Sequence, residues 1–355
     1  MESIQKQRNY ILDIVKGFAI INIVFIHTVW WSGQVYMQSD LIRQLSLFID
    51  VPLFFFLSGW ATSLHEQSFK TTLKRFIKLC IPYAITIATL TLALTVFYKR
   101  SISFQTIWGW LTLTFRESFE LPVVMGSMWF LAPFIIISIL TPVLMRIVNM
   151  RNLSAFFIIF LLLLNFLFNS YETGIGDIVV LNLISIRVIV FYLLFYYLGI
   201  YTRDMTLNIK EFIYIIISLT FLLGLCLCYF NFKLDLQANK FPPSALYLIA
   251  STYSVVATLY LKNFEEKASQ KINKNNKILK FLQYSGKNAY NLYLYQGFGG
   301  SIIFYIAYNA NIIMLPKGYK LVLSFICNLA ITYALAFTFG KLNNLALKPV
   351  NKYFR

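Results

Sequence analysis

The sequence predicts an all-α polytopic membrane protein, a bundle of about ten transmembrane helices. Three observations carry that prediction. The 355-residue chain is 59% hydrophobic and 13% charged, about half the charged fraction of a soluble domain, and its mean hydropathy is +0.67. Apolar stretches of about 20 residues, each long enough to cross a bilayer, recur along the whole chain. The basic residues, which give a net charge of +17, alternate with those stretches instead of forming one block. Such a distribution fits topology signalling and attraction to anionic lipid, so the bilayer is the expected partner and nucleic acid is not.

The first span, near 10–31, is ILDIVKGFAIINIVFIHTVWW bounded by polar residues. The second, near 46–65, contains FIDVPLFFFLSGW, and the third, near 76–97, opens on TLKRFIKLCIPY. The stretch Tyr98–Ser127 that follows contains Trp108, Trp110 and Phe115 and reads as a short interfacial or re-entrant element, since tryptophan favours that layer. Further spans lie near 128–147, 153–170, 178–201, 210–230, 242–262, 288–309 and 319–340. Asn263–Lys287 reads as a basic loop. One membrane-embedded domain over 1–355 is expected, with no appended soluble domain and no cleavable signal peptide.

Most of the 31 basic residues fall on one side. They include Lys6 and Arg8, the group Lys70, Lys74, Arg75 and Lys78, the lysines between 262 and 287, and Lys341, Lys348, Lys352 and Arg355. That asymmetry predicts that both termini are cytoplasmic. Cys80, Cys226, Cys228 and Cys327 lie in or at the ends of apolar spans, and His27 and His65 are the only histidines. No metal site is expected from this set.

Several residues can carry chemistry. Lys16 and His27 stand on one stripe of the first span, about 16 Å apart along its axis and about 20° apart around it. An imidazole inside a membrane bundle is either a proton-transfer group or a hydrogen-bonded structural one. Lys16 either lines a path or snorkels to the surface, with Asp13 as a partner. Arg187, in LNLISIRVIVFY, reads as a mid-span cation facing the bundle interior, a cavity or an anionic ligand. Asp50 can pair with Arg187 or orient His27. Lys74, Arg75 and Lys78 either hold phosphates or only mark topology. Glu117 and Glu120 are acid/base or sugar-binding candidates, or simply solvated loop residues.

Taken together, these stretches resemble the acyltransferase-3 family of integral membrane proteins. LDIVKGFAIINIVFIHT resembles its opening motif, a basic residue, ten residues, then histidine, with Lys16 in place of the usual arginine. PLFFFLSGW (Pro52–Trp60), KRFIKLCIPY (Lys74–Tyr83), SMWFLAPF (Ser127–Phe134), FPPSALYL (Phe241–Leu248) and SGKNAYNLYLYQGF (Ser285–Phe298) resemble later signatures. In the last of these the family often has histidine where this chain has Gln296.

The resemblance implies transfer of an acyl group, usually acetyl, from cytosolic acyl-CoA to a hydroxyl of a cell-surface or lipid-linked carbohydrate across the bacterial plasma membrane. Helix geometry suggests how that reaction would run. Lys16, Lys74, Arg75 and Lys78 would hold the acyl-CoA, which serves as donor with no metal involved. His27 would be general base or nucleophile, with Asp50 and Arg187 in the catalytic set. Arg187, Ser58 or Ser127 would supply an oxyanion donor. Ser127, Trp129, the Trp108–Trp110 pair, Glu117 and Glu120 would face the acceptor. A transporter or flippase of a lipid-linked saccharide or small anion is the competing class, and a scaffold subunit a third.

Overall fold

The computed structural model describes residues 9–31, 40–65, 67–170, 175–181, 183–229, 233–309 and 316–354. Lys6, Arg8 and Arg355, assigned above to the terminal side, lie outside the described residues. The chain is an all-α polytopic membrane protein, with a two-stranded hairpin as its sheet among the described residues. Seven helical stretches are long and apolar enough to cross a membrane. The shorter apolar helices Asn152–Phe168 and Ile186–Tyr201, together with Ala289–Asn309, occupy the other three predicted spans.

Helix α1 (Tyr10–Trp31) starts where two side chains satisfy its leading N–H groups. Asn9 Oδ1 accepts from Leu12 N–H at 2.8 Å, and the Glu265 carboxylate accepts from Tyr10 and Ile11 at 2.6 and 2.8 Å. A carboxylate there also complements the helix dipole.

The second span, predicted near 46–65, is helical from Val51 to Ser63. Helix α2 (Asp40–Ser46) ends before α3 (Val51–Ser63), whose N-cap is Asp50 and whose second residue is Pro52. Proline is tolerated there because that N–H has no intrahelical partner anyway. Helix α4 (Phe69–Phe97) begins at a Ser68–Thr71 capping box and so extends a predicted span that was placed from residue 76. Helix α5 (Phe104–Leu111) forms in the tryptophan-bearing stretch. Helix α6 (Pro122–Ser127) passes through a 3₁₀ turn (Met128–Phe130) into α7 (Leu131–Val148), which precedes α8 (Arg151–Ser170).

The sixth predicted span is shorter than its apolar run. Val179–Val180 (β1) pairs antiparallel with Ile184–Ser185 (β2), and α9 (Ile186–Tyr201) starts only after the hairpin. Arg187 therefore sits in the first turn of α9 and not mid-span. Hydropathy reads the β-branched residues of a hairpin and of a helix alike. Helices α10 (Ile209–Cys228) and α11 (Ala245–Leu261) follow.

The predicted basic loop is structured as α12 (Glu265–Asn273) and α13 (Lys277–Lys287). Helix α13 meets α1 at backbone contact. A Cβ on Gly17 would lie 1.9 Å from the Leu282 carbonyl oxygen, and one on Gly286 would lie 1.8 Å from that of Asp13. Helices α3 and α9 are sealed the same way at Gly59 and Gly199. After Asn288, α14 (Ala289–Asn309) continues beside α1, so residues 282–296 stand opposite residues 13–27. Helices α15 (Lys317–Ala346) and α16 (Lys348–Tyr353) complete the described chain.

Candidate active site

The parallel run of α1 and α13–α14 brings His27 to Gln296. The Nδ1 of His27 lies 2.5 Å from Gln296 Oε1. An amide oxygen only accepts, so this pairing places the ring proton on Nδ1 and leaves the Nε2 lone pair available as a base. Gln296 is fully buried on α14. One turn earlier, the Tyr293 hydroxyl donates to the Ser127 carbonyl and fixes α14 against the end of α6.

Asp50 lies at the start of α3. The α1 side chain Asn22 anchors the turn before it, donating to the carbonyls of Ser46 and Ile49 at 2.8 and 2.6 Å. Asp50 Oδ2 accepts from Lys240 Nζ at 2.6 Å and from the Tyr247 hydroxyl at 2.8 Å. Lys240 and Asp50 both lie within electrostatic reach of His27. Asp50 Oδ1 and Gln296 Nε2 are buried and have no hydrogen-bond partner among the described residues.

A cavity of about 260 Å³ approaches this layer from the side on which α1 begins. Lys16 and Lys287 line it, as do Ile23, Val51, Phe130 and Tyr293. The last four are near chain neighbours of the polar residues. Ile23 is one turn from His27, Val51 adjoins Asp50, Phe130 adjoins Trp129, and Tyr293 is one turn from Gln296. The Lys16–His27 stripe is thus a wall of this cavity over about 10 Å, from Lys16 to Ile23. Ser58 also lines it.

Other predicted site residues lie elsewhere or are already engaged. Arg187 is buried and ion-paired with Asp177 at 3.1 Å, while the ion pair of Asp50 is with Lys240. The Ser127 hydroxyl donates to the Val124 carbonyl at 3.0 Å within its own helix. Glu120 pairs with Arg100 at 2.7 Å, and Glu117 is exposed, with its carbonyl accepting from the Trp110 indole at 2.7 Å. Trp110 is fully buried and cannot stack on a sugar, whereas Trp108 is exposed. Trp129 does sit at the site, packed edge-on against Phe241 at 4.6 Å and lying 5.1 Å from Lys240 Nζ.

The basic triplet of α4 divides. Arg75 donates to Gln67 Oε1 at 2.7 Å and to Thr62 Oγ1 at 3.4 Å. Lys74 donates to the Phe354 carbonyl at 3.4 Å and lies near Lys78, one turn on. A second, more polar cavity of about 690 Å³ lies near the Arg75 partner Gln67, lined by His65, Gln67, Arg146 and Arg203 among others.

Sequence reasoning passed over Lys240 and Lys287, which it counted only as topology charges. The signal for Lys240 was its place directly before FPPSALYL. Gln296 departs from the family's usual histidine, yet it meets His27.

Comparison with curated proteins and with solved structures returned no match. A family model described as an acyltransferase domain matches residues 9–341, nearly the whole chain and all of the site residues above. The chain belongs to the acyltransferase-3 family and is a membrane acyltransferase.

Proposed function

We propose that the protein transfers an acetyl group from cytosolic acetyl-CoA to a hydroxyl of an extracytoplasmic or lipid-linked carbohydrate at the bacterial cell surface. In this reading both termini are cytoplasmic and the cavity opens to the cytosol. The observation that carries it is the cavity lined by Lys16 and Lys287, whose α1 wall includes Ile23, one helical turn from His27. Its predominantly apolar wall suits the thioester arm of acyl-CoA, and the two lysines suit its phosphates. Lys74 and Lys78 supply further positive charge on the same helix as Leu79, a cavity residue. Arg75 is committed to Gln67 and Thr62 and contributes less.

His27 then acts as general base. Its Nε2 takes the proton of the acceptor hydroxyl, whose oxygen attacks the thioester carbonyl carbon. Gln296 positions the ring. Asp50 Oδ1 and the half-buried Trp129 offer the acceptor a hydrogen-bond acceptor and an aromatic face, a pairing suited to a sugar.

The experiment is incubation of membranes containing the protein with radiolabelled acetyl-CoA. Label in extracted glycan supports the reading. Saccharide movement across the membrane without incorporation supports the transporter class instead.

A further inference from the structure

The layer above the cavity contains a cation that the transfer step described so far does not use. Lys240 is only 6% exposed. Its Nζ is held by Asp50 Oδ2 at 2.6 Å and lies over the rings of Trp129 and Phe241 at 5.1 and 5.8 Å. An ammonium has three donors in rotatable positions. One goes to Asp50, and the aromatic faces supply attraction without consuming a directed acceptor. That leaves N–H directions for an oxygen.

Lys240 also lies within electrostatic reach of His27. Asp50 adjoins the cavity residue Val51, and Trp129 adjoins the cavity residue Phe130. The cavity thus reaches chain neighbours of Asp50 and Trp129, the two residues that hold Lys240. Of the other donors considered from the sequence, the Ser127 hydroxyl is bonded to Val124 and the Arg187 guanidinium is paired with Asp177, while Ser58 lines the cavity.

We infer that Lys240 is a further catalytic residue, donating to the thioester carbonyl oxygen as negative charge develops there. The inference rests on the acyl-transfer reading above. The acceptor oxygen bonds to the carbonyl carbon as His27 Nε2 removes its proton, and the carbonyl π electrons move onto the oxygen facing Lys240. Collapse re-forms the carbonyl and breaks the C–S bond. CoA leaves as thiolate and takes the proton from His27. Asp50 holds Lys240 in place, with Tyr247 bonded to the same carboxylate oxygen.

The test compares Lys240→Gln, Lys240→Arg and wild type in membranes at matched protein level. Label transfer from radiolabelled acetyl-CoA and direct binding of acetyl-CoA are both measured. Loss of an oxyanion donor costs about 10²–10³ in turnover. Lys240→Gln is expected to lose that much while its acetyl-CoA Kd stays within about threefold of wild type. Lys240→Arg, which keeps a charged donor, is expected to retain at least about a tenth of wild-type turnover. Turnover of Lys240→Gln within threefold of wild type overturns the assignment. So does equal loss in both variants accompanied by lost acetyl-CoA binding, which marks a purely structural ion pair. If wild type itself incorporates no label, the acyl-transfer reading fails and takes this assignment with it.

Discussion

Replacing Gln296 with leucine tests how the site prepares its base. The substitution keeps the side chain close in volume but removes the oxygen 2.5 Å from His27 Nδ1. Two losses follow. A buried neutral hydrogen bond contributes about 1 kcal/mol net, a factor of about five at room temperature. The ring is then no longer held as the Nδ1-protonated tautomer, and only that neutral tautomer presents a basic Nε2. General-base catalysis supplies about 10²–10⁴, so a ring that is correctly set a tenth of the time forfeits about another tenfold. Together they predict a fall in kcat of about fivefold to fiftyfold. KM for acetyl-CoA should change little, because Gln296 does not line the cavity. Gln296→His, which restores a ring nitrogen acceptor, should recover part of the loss. The assay is initial-rate transfer of label from acetyl-CoA in membranes, normalised to protein level. A kcat within twofold of wild type, or a loss confined to KM, refutes the reasoning.

Two more predictions concern residues that the structure separates. Lys16→Ala removes a point charge from the cavity wall and should raise KM for acetyl-CoA about tenfold with a smaller effect on kcat, since a charge-assisted bond contributes about 1.5–3 kcal/mol; an unchanged KM and Kd would show that Lys16 does not meet the donor. Trp110→Ala should destabilise the fold by about 3–5 kcal/mol, whereas Trp108→Ala should stay within about 0.5 kcal/mol. Thermal unfolding in detergent compares the two, and equal stabilities would contradict the burial of Trp110.

Much of this architecture is legible in the residues. The apolar run of α1, with Lys16 and His27 on one stripe, led to the cavity wall. The phrase FIDVPLFFFLSGW marked Asp50, because an acid before Val-Pro at the edge of an apolar run is both a helix start and an expensive buried charge. Tertiary pairing was less legible. Asp50 looked equally able to meet Arg187 or His27, and its partner came from a lysine that resembled an ordinary loop charge. Arg187 looked mid-span because a hairpin of Val179, Val180 and Ile184 has the hydropathy of a helix. Helix α13 looked like a loop because its lysines masked the small residue, Gly286, that lets it touch α1. Trp108 and Trp110 have the same chemistry two positions apart, and only the orientation of α5 separates the exposed ring from the buried one.

The central claim is that His27, standing above a lysine-lined cavity, performs the acyl transfer. The direct measurement is label incorporation from radiolabelled acetyl-CoA into glycan by membranes containing wild type or His27→Ala, with protein levels matched and acetyl-CoA binding measured in parallel. The account predicts that His27→Ala binds acetyl-CoA normally, because Lys16, Lys287 and the cavity wall are intact, and incorporates label only at background. Full incorporation by His27→Ala would contradict it.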